Sequence, residues 1–366
     1  MPEISKDNWP NMDKSFYTDL ARDGRRLPII THMVLHEKED PEAILRDGER
    51  LAAVMLEAAE RFNNPMALPV MDLTLEKDIL LQTMGVPANE TSAFHFGAAP
   101  DPKRYAKVTA DVDVLTHPRI KANCQALSIL RDGGKVVPVG MSIGPFSLLT
   151  KLLKDPITAI YTAGAGFAPE DDDDVATLHA ILELAETIVH ANCAAQIKAG
   201  ARAIFLCEPA ANLVFFSPKQ IRKGSTVYDE FVIEPNLRLK KLLDDADTDL
   251  LFHDCGELIP EMITSFGKLN PKLISFGSTV KLWEAEPYVA KDVVIFGNLP
   301  TKNFYSDADV PLNGIEGRVA EIEDRLRPTG HPFIVSSECD VLSMPGYEET
   351  IMAKVNAMCS CRKLTR

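Results

Sequence analysis

Three residues of this chain could hold a soft metal ion: His253 and Cys255, separated by one residue, and Cys339. Along an extended strand, residues i and i+2 point to the same side, so the His253-Asp254-Cys255 step would present an imidazole and a thiol together. Two thiolates and one imidazole suit zinc, which takes sulfur and nitrogen donors in a tetrahedron. Three protein donors leave a fourth position open, the pattern of catalytic rather than structural sites. A structural site would more often show two Cys-x-x-Cys pairs, and the sequence has none. The competing reading is plainer. A His-x-Cys pair in an apolar run is commonly a satisfied histidine beside a buried cysteine.

Such residues need a scaffold to bring them together. Eight short apolar runs read as strands: 28–35, 66–72, 135–141, 201–207, 249–253, 272–276, 293–296 and 332–336. They are continuous rather than alternating, as in strands covered on both faces by helices. Helical patterns lie between them at 40–62, opening on Asp40-Pro41, at 117–131, ending at Gly133-Gly134, and at 171–199, closed by Gly200. Further helices are expected at 257–266, 317–326 and 347–358. This alternation predicts an α/β chain folded as one (β/α)8 TIM barrel over 1–366, with 1–27 as an N-terminal helical extension. The stretch 86–116 is long for a connection and is expected as an insertion between strands 2 and 3, over the barrel mouth.

Chemistry in a barrel gathers at the carboxyl ends of its strands. The fourth predicted strand ends in Cys207-Glu208-Pro209, the fifth in His253-Asp254-Cys255-Gly256, the seventh in Gly297-Asn298, and the eighth in Ser337-Glu338-Cys339-Asp340. Two of these ends carry soft ligands at one depth. Asp254 should point away from its neighbours, to orient a ligand or to pair with the scaffold. Asn298 could bond substrate or cap its turn.

The bulk numbers narrow the field. With 366 residues and a hydrophobic fraction of 46%, the chain has ample material for a core. A formal charge of -14 repels phosphate backbones, so nucleic acid is not an expected partner. The longest apolar runs are far too short to span a bilayer, and the polar N-terminus lacks a signal-peptide core, so a cytoplasmic protein is expected. Seven cysteines is an odd count, fitting free thiols or metal ligands better than a disulfide framework. Cys124, Cys193 and Cys207 read as core fillers, and Cys359 and Cys361 as idle thiols of a tail. The acidic run 171–174 complements a helix dipole and does not require a metal.

Several segments resemble a known family in order. Val137-Pro138-Val139-Gly140 leads to Gly144-Pro145-Phe146-Ser147-Leu148; Ile197-Lys198-Ala199-Gly200-Ala201-Arg202-Ala203-Ile204 approaches the fourth strand; Ser217-Pro218 opens the next helix. Phe252-His253-Asp254-Cys255-Gly256, Phe296-Gly297-Asn298-Leu299 and Ser337-Glu338-Cys339-Asp340 complete the series. From about Leu27 onward the chain is similar to the uroporphyrinogen decarboxylase superfamily, in its zinc-dependent branch of cobamide-linked methyltransferases, which includes methylcobamide:coenzyme M methyltransferases. The resemblance implies a (β/α)8 barrel with His253, Cys255 and Cys339 as zinc ligands. It places Glu208 where relatives carry an acidic residue, as a fourth ligand or proton acceptor; a helix cap or a partner of a nearby base is the alternative. Glu208 and Asn298 are the expected catalytic residues.

The implied function is methyl transfer from a methylated corrinoid protein to a thiol held as zinc thiolate. At pH 7 only about 3% of a free thiol is ionised, a penalty of roughly 2 kcal/mol, whereas zinc deprotonates a bound thiol. No Asp-x-His-x-x-Gly cobalamin motif or Gly-rich phosphate loop is evident, so the corrinoid (cobalamin) is expected on a partner protein docking at the mouth, with His95 a candidate for docking or for a lid. A small thiol is the other expected partner, and assembly as a homodimer is left open. The alternatives are methyl transfer from another donor to a corrinoid, a zinc hydrolase with Glu208 as base, and a decarboxylase-like barrel. The last is disfavoured because the stretch 28–36 has no arginine to meet a substrate rich in carboxylates. Cys207-Glu208-Pro209 also departs from the family's Asp-Pro form, and 306–314 is divergent.

Overall fold

A computed structural model of the chain describes residues 14–360. Seven parallel strands form one sheet in sequential order: β1 Met66–Ala67, β2 Val137–Ile143, β3 Ala203–Cys207, β4 Asp249–Asp254, β5 Leu273–Phe276, β6 Val294–Leu299 and β7 Phe333–Ser337. Helical crossovers return the chain to start each strand in the same direction. Alternate residues then enter two different cores. Val139, Met141, Phe205 and Leu251 pack into an inner cluster, while Ile204, Leu206, Leu250 and Phe252 pack against helices. Burial on both faces is what makes the strands read as unbroken apolar runs.

The first of the eight expected strands, 28–35, is a correction, and seven strands remain among the described residues. Within 28–35, residues Thr31–His36 begin a helix. Only the preceding stretch is extended. Arg26 forms one isolated parallel bridge with Val335, Leu27 N–H donates to the Val335 carbonyl at 3.1 Å, and Ser336 Oγ donates to the Leu27 carbonyl at 2.6 Å. Leu27 and Ile29 still join the inner cluster beside Met66 and Leu68, so this segment occupies the place of a strand in packing without forming the ladder. Where pairing with the chain beyond β1 would continue, Thr31 Oγ1 donates to the Leu68 carbonyl instead, at 2.7 Å. A short buried apolar run carries no period that tells strand from helix, which is why the sequence reads as strand here.

The predicted helix over 40–62 is two helices, Pro41–Ile44 and Gly48–Arg61. Asp40 caps the first and Asp47 the second, through the N–H groups of Glu49 and Arg50. The long helix forms as Asp173–Ala199; Asp172 of the acidic run caps it, and Gly200 ends it at φ 111°. The stretch 86–116 contributes the helix Pro102–Asp111 and the turn Val114–Thr116. It is pinned by a bridge from Phe96 to Leu153, just past the helix Pro145–Leu152. His95 in this stretch is exposed, with Nδ1 3.0 Å from the Ala93 carbonyl. Of the expected extension 1–27, residues 1–13 lie outside the described residues, as does Cys361; within the rest, Lys14–Arg22 form a helix and 23–27 do not. Among the described residues no helix is long and apolar enough to cross a membrane.

Two contacts orient the sheet. Tyr17 of the first helix is fully buried in the inner cluster, and its hydroxyl donates to Asp249 at the start of β4, at 3.0 Å. That helix therefore closes the amino end of the strands and leaves the carboxyl end for a site. The Arg26 guanidinium, buried, meets Glu323 of the helix Ile315–Leu326 at 2.7 Å, fastening the 26–30 segment to the outer layer. Removing Glu323 would take this buried carboxylate from the Arg26 guanidinium, and breaking a buried ion pair is costly. Glu323→Ala should lower stability by about 3–5 kcal/mol, read as a drop in the urea midpoint; a midpoint within error of the parent would show the pair to be dispensable.

Candidate metal centre

His253 is the fifth residue of β4 and falls on the inward face, in register with Cys207 of β3 and Ser275 of β5. Its ring lies 5.5 Å from that of Phe205 at 29°, and its Nδ1 is 2.9 Å from Ser275 Oγ. A partner on Nδ1 leaves Nε2 as the free nitrogen and sets the ring's orientation. Nε2 is buried and has no hydrogen-bond partner. An orphaned buried polar atom is uncommon and calls for an occupant.

Cys255 follows β4 by one residue and Cys339 follows β7 by two. The donor atoms of His253, Cys255 and Cys339 all lie within 4.8 Å of one another, the one such group of three or more among the described residues. Two sulfurs and an imidazole nitrogen so close, with the nitrogen unsatisfied, fit a zinc ion by donor chemistry. The backbone has to be shaped for this. A Cβ on Gly277, past β5, would lie 2.6 Å from the Cys255 carbonyl oxygen and 2.7 Å from its Cα, so glycine lets Cys255 come close.

The two thiols differ. Interaction with Cys339 holds the Cys255 thiol well below the ordinary range, against the desolvation of burial, and His253 and Lys302 act in the same direction. Cys339 is pushed up by the same partnership and by burial. Lys302 Nζ lies 3.6 Å from Cys255 Sγ. Desolvation opposes its charge, but Cys255, Cys339 and Glu338 outweigh it and raise its pKa. Lys302 had no signal in the sequence; its role depends on the loop after β6 folding back over β4.

The expected catalytic residues are placed differently. Glu208 is fully buried and is not in the cluster. Its Oε1 accepts from Phe146 N–H at 3.2 Å and Asn236 Nδ2 at 2.9 Å, and its Oε2 accepts from Ser147 N–H at 2.7 Å. It thus caps the helix Pro145–Leu152, and burial raises its pKa despite these bonds. Gly144 lets it through, for a Cβ there would lie 2.1 Å from Glu208 Cδ. Asn298 is buried, and its Nδ2 donates to the carbonyls of Gly277 and Val280 at 2.7 and 2.6 Å. Asp254 faces away from the inner cluster, accepts from Gly256 N–H at 2.7 Å, and is raised well above the usual carboxylate range by burial. Cys124, Cys193 and Cys207 are buried, and Cys207 faces inward beside His253 without joining the cluster.

In metal-free protein, lowering the Cys255 pKa keeps its thiolate populated below the ordinary thiol range near 8.5. Cys255 should therefore alkylate with iodoacetamide at lower pH than Cys339, and Lys302→Met should move its alkylation midpoint to higher pH. Peptide-resolved mass spectrometry reads both; equal midpoints for the two thiols would contradict this asymmetry.

Comparison with known proteins agrees with the fold. One similar solved structure is a methyltransferase from Methanosarcina mazei, with a TM-score of 0.66 over 94% of this chain and 96% of that one, at 16% identity. No protein of curated function matches the sequence. The family model "Uroporphyrinogen decarboxylase (URO-D)" matches residues 26–363, and the chain belongs to that family.

Proposed function

We propose that this chain is a zinc-dependent methyltransferase that moves a methyl group from a methylated corrinoid protein to a small thiol. The observation that carries the reading is the convergence of His253, Cys255 and Cys339 around an unpartnered buried Nε2. When bound there, zinc would supply a Lewis-acidic position that keeps a substrate thiol ionised near neutral pH. The methyltransferase from Methanosarcina mazei that shares the fold supports the reaction class.

The chain's own residues set the conditions. His253 and the two cysteines would hold the ion, and Ser275 keeps the imidazole aimed. Two thiolates and a neutral imidazole balance the charge of a divalent ion, which leaves a bound sulfur electron-rich rather than strongly polarised. Lys302, beside Cys255, adds one positive charge and favours an anionic sulfur over a neutral one. Glu208 and Asn298, whose polar atoms already bond the scaffold, hold the loops of the site in place in this reading. Glu208 is then poorly suited to be the base of a hydrolase, since backbone N–H groups and Asn236 occupy both of its oxygens. The stretch 28–36 has no arginine, which weighs against a substrate rich in carboxylates.

Purified protein should contain about one zinc per chain, and a Cys255→Ala, Cys339→Ala double variant should lose it by elemental analysis. With methylcobalamin as donor and a panel of small thiols, the cobalt–carbon absorption should decay only when thiol and zinc-loaded protein are both present. Thiol-independent decay, or none with any thiol, would sink the methyl-transfer reading. Full zinc retention in the double variant would sink the site.

A further inference from the structure

Three donors leave the metal centre incomplete, and the acidic residue expected to complete it is tied to a helix. A fourth donor supplied by the protein would have to come from elsewhere. Met71 lies past β1, four residues after its end at Ala67, and packs against the inner cluster. Its Sδ is 3.5 Å from Cys339 Sγ, a contact between residues 268 positions apart. Two sulfurs sharing one zinc at bonds of about 2.3 Å would stand roughly 3.8 Å apart at tetrahedral angles. The observed spacing is near what one ion would bridge.

The position of Met71 is built, not incidental. Its backbone N–H donates at 2.9 Å to Oδ2 of Asp340, the residue after Cys339. Asp340 is buried, so it clamps the chain past β1 to the chain past β7 just where the two sulfurs meet. Cys207, beside His253, lies outside the group whose donor atoms converge, and three nearby polar groups are unsuited. Glu208 caps a helix, Asp254 faces away, and the Lys302 ammonium has no lone pair to give.

We propose that Met71 Sδ is the fourth, displaceable donor of the His253, Cys255, Cys339 centre. This rests on the metal-site reading above. A thioether is soft enough for such a site but carries no charge. It would complete the tetrahedron without making the site anionic, and it would yield its place to a thiolate. The sulfur set is then three in the resting protein and three again with thiol bound, with the identity of one sulfur exchanged. Half-buried, Met71 remains within reach of an incoming ligand.

Selenomethionine labelling tests this directly. Zinc K-edge absorption on labelled, zinc-loaded full-length protein should show one selenium neighbour, because only a coordinating methionine enters the zinc shell. The selenium signal should vanish on adding excess small thiol and should be absent in labelled Met71→Leu. Unlabelled Met71→Leu should show about two sulfurs per zinc instead of three, restored by thiol. Zinc bound stoichiometrically by Cys255 and Cys339 with no selenium neighbour would overturn the Met71 assignment and leave the metal site standing. In that case the contact is only a thiol–thioether packing contact. Absence of stoichiometric zinc, or zinc unaffected by removing both cysteines, would instead overturn the site reading beneath it, and the Met71 assignment with it.

Discussion

Register between β4 and its neighbours governs this structure. His253 stands opposite Ser275 on one side and Cys207 on the other, and the parallel ladders on both sides allow no other alignment. A slip of one residue would turn the imidazole out toward the helices and bring Asp254 inward. The register is held by the double burial of the strand, with Leu251 in the inner cluster and Leu250 and Phe252 in the outer one. Tyr17 secures its far end through Asp249. The cluster of His253, Cys255 and Cys339 is thus an outcome of sheet packing before it is an outcome of its own chemistry.

Buried carboxylates at the strand ends share one task. Glu208 receives the N–H groups of Phe146 and Ser147, Asp254 that of Gly256, Glu338 those of Ser278 and Lys302, and Asp340 that of Met71. Each pins a loop that lines the open end of the sheet. Loops carrying functional residues are normally the least ordered part of such a fold. Here their backbone donors are satisfied by acids anchored on the strands, which restricts where Cys339, Met71 and Lys302 can go. Burial works against these charges: Glu208 and Asp254 are raised, and Asp340 is raised to about 7. The acidic groups near the cluster thus all bond its framework.

Charge and softness at the centre are matched. With an ion bound, an imidazole, two thiolates and a nearby ammonium would form a set that suits a divalent soft ion and an anionic sulfur ligand. A carboxylate instead of the proposed thioether donor would shift such a centre toward harder chemistry and greater negative charge.

The sequence by itself determined the parallel α/β plan and the three cluster residues. Six of the expected strands appear within a few residues of their predicted places, and the seventh, β1, is confined to Met66–Ala67, because burial on both faces writes itself as continuous apolar runs. His253 and Cys255 were legible from their spacing on a strand, and Cys339 from its place at a strand end. The sequence misjudged 28–35, where a short apolar run fits strand and helix equally, and joined two helices that Asp47-Gly48 divides. Only the tertiary structure decided that Glu208 serves a helix, that Gly277 makes room for Cys255, and that Lys302 and Met71 reach the two thiols. The reason is one of range. Periodicity and capping act over a few residues, whereas these contacts join loops from different strands, and nothing local in the chain records which loops will meet.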